Sequence, residues 1–207
     1  MSFISTNPFT GKINAEYPFV SDEEILRKIE LSKEIYNKTW RKKSIKERIE
    51  HIKDLSTYLL DKKDKLAKTI SSEMGKPIKE SVAEIEKVVW LIDYYTENAE
   101  NHLKPKFINA KGYEKSYLRY DSIGGVLGIM PWNYPFWQVY RFAIPTLLAG
   151  NTVFLKHAPN VPLCAFEIEK SFNEVTGIEG LFQNLFIDIP QVALVMEHPF
   201  VQGVSLT

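Results

Sequence analysis

The stretch Gly124–Asn160, GGVLGIMPWNYPFWQVYRFAIPTLLAGNTVFLKHAPN, constrains this chain more than any other part of it. Val126–Met130 is a short apolar run of strand type. It meets a turn, Pro131–Trp132–Asn133–Tyr134–Pro135, which opens a helix that stops at Gly150. A second apolar strand, Thr152–Leu155, then delivers Lys156 at its end. Strand, turn, helix and strand in this order make half of a nucleotide-binding βαβ unit. A side-chain amide and a lysine both lie at carboxyl ends of strands, where open α/β sheets bind ligands.

The same alternation continues downstream. Strand 124–130, helix 135–149, strand 151–156 and helix 162–175 are followed by a strand over Leu181–Ile187, a short helix over Pro190–Glu197 and a strand over Val201–Thr207. Strands separated by helices of this length predict a parallel, doubly wound sheet. Upstream, residues 3–20 carry Pro8, Gly11 and Pro18 among alternating apolar residues and read as short strands or an extended arm. Ser21 with Glu24, and Ser44 with Glu47, are capping-box pairs. The stripes Ile25–Ile29–Ser32–Tyr36 and Ile45–Ile49–Ile52–Leu55–Leu59 follow them. A third helix over Asp64–Met74 ends at Gly75, and a fourth runs from Pro77 to about His102. Residues 107–123 alternate lysine and tyrosine in an exposed strand pair. The expected fold is therefore α/β, an N-terminal helical segment plus a Rossmann-like sheet. Its parts are an arm and helices over 1–106, the strand pair over 107–123 and a nucleotide-binding portion over 124–207.

Charge excludes some classes of function. Twenty-six Lys and Arg balance 26 Asp and Glu, so no global field argues for nucleic acid or an acidic membrane. Lysines crowd residues 21–115, whereas 123–166 is nearly uncharged, which assigns the buried sheet to the second half. Cys164 is the single cysteine, so no internal disulfide can form, and a reducing compartment fits. The first residues, MSFISTNPFTGK, lack a signal-peptide layout, and no apolar run approaches a membrane span. A cytoplasmic protein is the expectation.

Three residues are candidates for chemistry. The Asn133 amide can donate to an oxyanion developing on a carbonyl, and a turn between two prolines would preorganise it. Asn is also a favoured helix cap, which is the plainer role. Lys156 can bind ribose hydroxyls or phosphate, or its stem can simply leave the sheet for water. Arg141 shares a helix face with Trp137 and Gln138 near the Asn133 turn. On a helix otherwise made of Phe142, Ala143, Ile144, Leu147 and Leu148, its charge needs a partner. A ligand carboxylate or an internal acidic side chain would serve.

Other leads are weaker. GGVLG lacks the spacing of a dinucleotide glycine fingerprint. His51, His102, His157 and His198 are too scattered to propose a metal site. Cys164 follows Pro162 at a helix start, where a thiol can be acidified, yet buried packing is the commoner fate of cysteine. Trp90, Tyr94 and Tyr95 continue a helical face and read as core or interface.

The Pro131–Pro135 turn, the Ala149–Gly150–Asn151 turn and strand-borne Lys156 resemble the aldehyde dehydrogenase superfamily. NPFTGK near the start, and Glu73–Met74–Gly75–Lys76–Pro77–Ile78 with Glu80, resemble it as well, so the likeness runs in order through essentially the whole chain. The KHAPN form of the lysine segment is similar to bacterial succinate-semialdehyde dehydrogenases. The resemblance implies that Asn133 is the oxyanion donor and that Lys156 binds the adenosine ribose. It implies that Ile129, Met130, Pro131 and Trp132 line the cofactor cleft, and that Tyr134, Trp137, Gln138 and Arg141 face the substrate, with Arg141 as anchor for a carboxylate. NAD or NADP would be the cofactor. Many NAD-preferring relatives carry a glutamate three residues after the lysine; Pro159 stands there, which admits the 2′-phosphate of NADP.

The resemblance also implies absences. The family's attacking cysteine, glutamate base and Gly-Ser turn belong further along the chain, as does the strand that completes an oligomerisation sheet. The expectation is an N-terminal portion that stops before the catalytic domain and does not oxidise aldehydes by itself. The complete enzyme would be a homo-oligomer acting on a small aldehyde. Two other readings stay open: a non-catalytic nucleotide-binding or interaction module whose sheet a partner covers, and a dehydrogenase for a different aldehyde.

Overall fold

The computed structural model describes residues 2–207. Strands β1 (Ser2–Thr6) and β2 (Ile13–Pro18) form an antiparallel hairpin. Its turn is held by Asn7 Oδ1, which accepts from the N–H groups of Phe9 and Thr10. Helix α1 (Asp22–Lys38) starts where Ser21 Oγ accepts from Glu24 N–H, and it buries Ile25, Ile29, Ser32 and Tyr36, the stripe expected. Helices α2 (Ile45–Ile52), α3 (Leu55–Asp61), α4 (Lys63–Met74) and α5 (Ile78–Leu103) follow. Ser44 and Glu47 complete their capping box, and Gly75 ends α4 with φ of 72°.

Two local expectations need correction. The apolar stripe from Ile45 to Leu59 is two helices rather than one, so five helices precede the sheet instead of four. The chain turns at Lys53–Asp54, which brings Ser56 Oγ within 2.5 Å of Asp93 Oδ1 on α5. The strand expected over Leu181–Ile187 shrinks to Phe182–Asn184, because Asn184 N–H turns to Glu169 Oε1 and Ile187 N–H folds back on Leu185 O. Of the two roles open to Trp90 and Tyr94, core is excluded, since they stack on each other and are 64% and 43% exposed. The pair within 107–123 forms, but only as two-residue strands, β3 (Lys106–Phe107) and β4 (Tyr117–Leu118).

The main sheet contains β5 (Gly125–Met130), β6 (Thr152–His157), β7 (Phe182–Asn184) and β8 (Val201–Leu206), all parallel, in the order β7-β6-β5-β8. Helix α6 (Pro135–Leu148) joins β5 to β6, α7 (Pro162–Thr176) joins β6 to β7, and α8 (Ile189–Glu197) joins β7 to β8. The sheet is doubly wound. Val153, Leu155 and Phe182 pack with α5, α6 and α7 on one face, whereas Leu127 and Phe154 pack with α1 and α8 on the other. Chain order along the sheet reverses between β5 and β8, the switch point at which such sheets open a crevice.

The C-terminal end of α6 is tied to the N-terminal half of the chain. Its last carbonyls, left without helical partners, accept from Trp40 Nε1 (Leu147 O, 3.0 Å) and Arg48 Nη1 (Leu148 O, 2.6 Å). Gly150 follows at φ of 94°, and a Cβ there would lie 2.9 Å from Arg48 Nη1, so glycine is required. Asn151 Oδ1 then accepts from the N–H groups of Ile123 and Gly124, which aligns the starts of β5 and β6. Inside β5, a Cβ on Gly128 would stand 2.5 Å from the Phe142 ring; glycine lets α6 lie close on the strand.

Candidate functional site

Two adjacent residues at the end of β6 are sent to opposite faces by strand alternation. Lys156 pairs in register with Ile129 and faces α8; His157 pairs with Met130 and faces α6. On the α8 side, Ile129, Lys156, Ile189, Val192, Ala193, Met196 and Glu197 line an apolar groove of about 480 Å³ at the carboxyl edge of the sheet. Lys156 makes no ion pair or hydrogen bond among the described residues, and partial burial lowers its pKa. A half-buried, unpartnered ammonium at the carboxyl edge of the sheet suits hydroxyl or phosphate oxygens of a nucleotide. Met130, expected in this cleft, is buried against α6 on the opposite face, so its side chain does not reach the groove. Pro131 borders the turn, Trp132 is half exposed, and Pro159 is exposed just beyond β6.

On the other face lies the Asn133 turn. Asn133 caps nothing. The free N–H groups at the start of α6, those of Phe136 and Trp137, are both taken by Glu84 Oε1 of α5, at 2.9 and 3.0 Å. Glu84 Oε2 is 2.6 Å from Lys76 Nζ, and both side chains are buried. The same ammonium reaches Asn133 O at 3.4 Å and lies 3.7 Å from the centre of the Tyr134 ring. From below, His157 closes the turn. Its Nδ1 accepts from Ala158 N–H at 2.8 Å, which leaves the proton on Nε2 to donate to Pro135 O at 3.0 Å. Burial, and then Lys156, push the imidazole down to about 4, so it is neutral near pH 7. Lys76, Glu84 and His157 therefore fix the backbone of the turn while the exposed Asn133 amide makes no hydrogen bond among the described residues.

The expected substrate-side residues follow along α6. Tyr134 is 42% exposed, Trp137 and Gln138 are partly buried, and Arg141 is exposed one turn beyond Trp137. Gln138 Oε1 is buried without a partner. Among the described residues Arg141 has no carboxylate within ion-pair distance, so the internal salt bridge left open by its sequence is not formed.

Cys164 settles as packing. It is fully buried in the first turn of α7, where its N–H donates to Glu73 Oε2 at 2.7 Å. Burial, followed by the Glu73 carboxylate, raises the thiol pKa well above its ordinary value, the reverse of what a nucleophile requires.

An apolar groove bearing a half-buried lysine on one face and a rigid turn with a free amide on the other meet at the carboxyl ends of β5 and β6, in a doubly wound α/β unit. The chain belongs to the aldehyde dehydrogenase family, whose model matches residues 1–207. It is similar to the succinate-semialdehyde dehydrogenase [NADP(+)] of Deinococcus radiodurans, 38% identical over 99% of this chain and 43% of that protein. It is similar also to the succinate semialdehyde dehydrogenase [NAD(P)+] Sad of Escherichia coli, 34% identical over 99% of this chain and 44% of that one. The crystal structure of succinic semialdehyde dehydrogenase from Streptococcus pyogenes in complex with NADP+ superposes with a TM-score of 0.94 at 28% identity, covering 99% of this chain and 45% of that chain. The chain thus spans less than half the length of these relatives. Among the described residues no helix is long and apolar enough to cross a membrane.

Proposed function

We propose that residues 1–207 form one wall of an NAD(P)-dependent dehydrogenase that oxidises an acidic semialdehyde, succinate semialdehyde, to the carboxylic acid. The observation that carries this reading is the Asn133 turn: three buried side chains hold it, and its amide is left free. An amide so held is preorganised for an oxyanion, because nothing reorganises when charge develops on the aldehyde oxygen. Arg141, unpaired and exposed two turns along the same helix, supplies the fork for a carboxylate tail.

Ile129, Lys156 and the apolar side of α8 fit the adenosine end of a dinucleotide, with Lys156 on the ribose; when bound, the nicotinamide accepts the hydride. Pro159 presents no carboxylate beside Lys156, which supports NADP, the cofactor named for the Deinococcus radiodurans relative. The attacking thiolate is assigned outside these residues, since Cys164 is sealed in the core. These 207 residues alone would then not turn over aldehyde. The strand pair within 107–123 is assigned to contacts between subunits of a homo-oligomer, consistent with its exposed Phe107, Tyr113 and Tyr117.

The test uses the full-length enzyme. Arg141→Leu should lower kcat/KM for succinate semialdehyde about 10- to 100-fold, the worth of one charged hydrogen-bonded contact, while butanal turnover stays nearly unchanged. Equal losses on both aldehydes would remove the acidic-substrate reading.

A further inference from the structure

We propose that Lys87, held on the face of Trp137, is a second determinant of acidic-substrate specificity, acting with Arg141 one turn further along α6. The inference rests on the acidic-semialdehyde reading and deepens it. It starts from a contrast between two lysines that cover the two aromatic rings of this wall.

Lys76 lies over Tyr134, and Lys87 of α5 lies over Trp137 with its Nζ 3.9 Å from the ring centre. The charge of Lys76 is neutralised by Glu84 at 2.6 Å. Lys87 is exposed and has no carboxylate within ion-pair distance among the described residues. Its neighbour Glu86 is engaged instead by Lys63 at 2.8 Å. Of the two stacked cations, only Lys87 keeps its charge available to a ligand.

Its position is fixed from both sides. Glu84, three residues earlier on α5, grips the Trp137 N–H at 3.0 Å, and the indole face receives the ammonium. Tryptophan is the strongest ring for such a contact. Trp137 and Arg141 share a face of α6, and four residues of helix rise roughly 6 Å. Lys87 therefore sits on the residue of α6 that lies one helical turn nearer to the Asn133 turn than Arg141 does. A short acidic tail, running from an aldehyde at Asn133 towards Arg141, passes the ammonium on its way. Two cations beside one stretch of α6, one held on Trp137 and the other a turn further along, favour a compact substrate whose carboxylate lies close to its carbonyl.

The experiment compares Lys87→Met, which keeps the stem on Trp137 without the charge, with Lys87→Arg and Arg141→Leu in the full-length enzyme. Steady-state kinetics are read with succinate semialdehyde and with butanal, at low and at high salt. The proposal expects K87M to raise KM for succinate semialdehyde roughly threefold to tenfold at low salt, with kcat and butanal kinetics unchanged. It expects K87R to restore KM and high salt to shrink the difference. K87M acting equally on both aldehydes, or on neither, would overturn it. If R141L discriminates between the substrates and K87M does not, only this inference fails; if R141L does not discriminate, the acidic-substrate reading itself fails.

Discussion

Helices α6 and α7 begin alike and end up with different jobs. Each follows a strand of the sheet, each has proline at its first position, and each has two backbone N–H groups held by a buried glutamate from the N-terminal half. Glu84 holds Phe136 and Trp137; Glu73 holds Leu163 and Cys164 at 2.8 and 2.7 Å. The difference lies in what surrounds the carboxylate. Glu84 has Lys76 as a buried counter-ion, with His157 closing the far side of the turn. Glu73 has no cation within ion-pair distance among the described residues, and burial raises its pKa despite its hydrogen bonds. At α6 the extra groups hold a turn outward, with Asn133 and Tyr134 exposed; at α7 the chain closes inward over Cys164. The same capping physics holds an exposed turn in one place and a closed core in the other. A third start, α8, uses the local solution instead, Asp188 and Gln191 in a capping box.

The comparison breaks first at Glu84. Glu84→Gln should cost about 3–5 kcal/mol in urea unfolding, because it leaves the Lys76 ammonium buried and unpaired. Lys76→Met combined with Glu84→Gln should recover much of that loss, the signature of a coupled pair. Additive losses would mean that the two residues act separately.

Acid should separate the two ends next. Between pH 6.5 and about 4 the unfolded chain binds a proton that the buried His157 refuses. Stability should therefore fall as pH drops through that window, by up to about 3 kcal/mol. Glu73 works in the opposite sense. Its raised pKa means that the native state holds a proton longer than the unfolded chain, so its contribution declines as pH rises above the ordinary carboxylate value of 4.5. His157→Gln should flatten the acid limb of a stability–pH curve, and Glu73→Gln should steepen it. The second change costs less at neutral pH, roughly 1 kcal/mol, because an amide oxygen still accepts from one of the two N–H groups. A His157→Gln curve that stays as steep as the parent's would place the acid sensitivity elsewhere.

What could be read in advance follows from range. Strand 125–130, the proline-bounded turn, helix α6 and Lys156 are all local patterns, and their boundaries fall within a residue or two of expectation. Arg141 was legible too, as a charge on an apolar helix. The groups that hold the turn were not, because Glu84 meets Phe136 across 52 residues of chain and no local period joins them. His157 is one of four histidines scattered along the chain, and the signal that places it under the turn is its strand parity with Lys156. The α8 wall had a signal as well. Ile189, Val192, Ala193 and Met196 repeat at helical spacing, and Ile189 is 80% exposed, an apolar stripe facing a groove instead of the core. The Asn133 cap, the plainer reading of that residue, failed because Glu84 had already taken the N–H groups.

Asn133 should show the smallest effect on stability and a large one on rate, and Asn133→Ala in the full-length enzyme tests the account most directly. Its side chain bonds to nothing among the described residues, so the urea midpoint should stay that of the parent. Loss of one oxyanion donor should lower kcat for succinate semialdehyde by about 10²–10³-fold. Wild-type kcat in this variant, or a rate loss matched by a fall in the unfolding midpoint, would contradict the claim that the turn is held for chemistry.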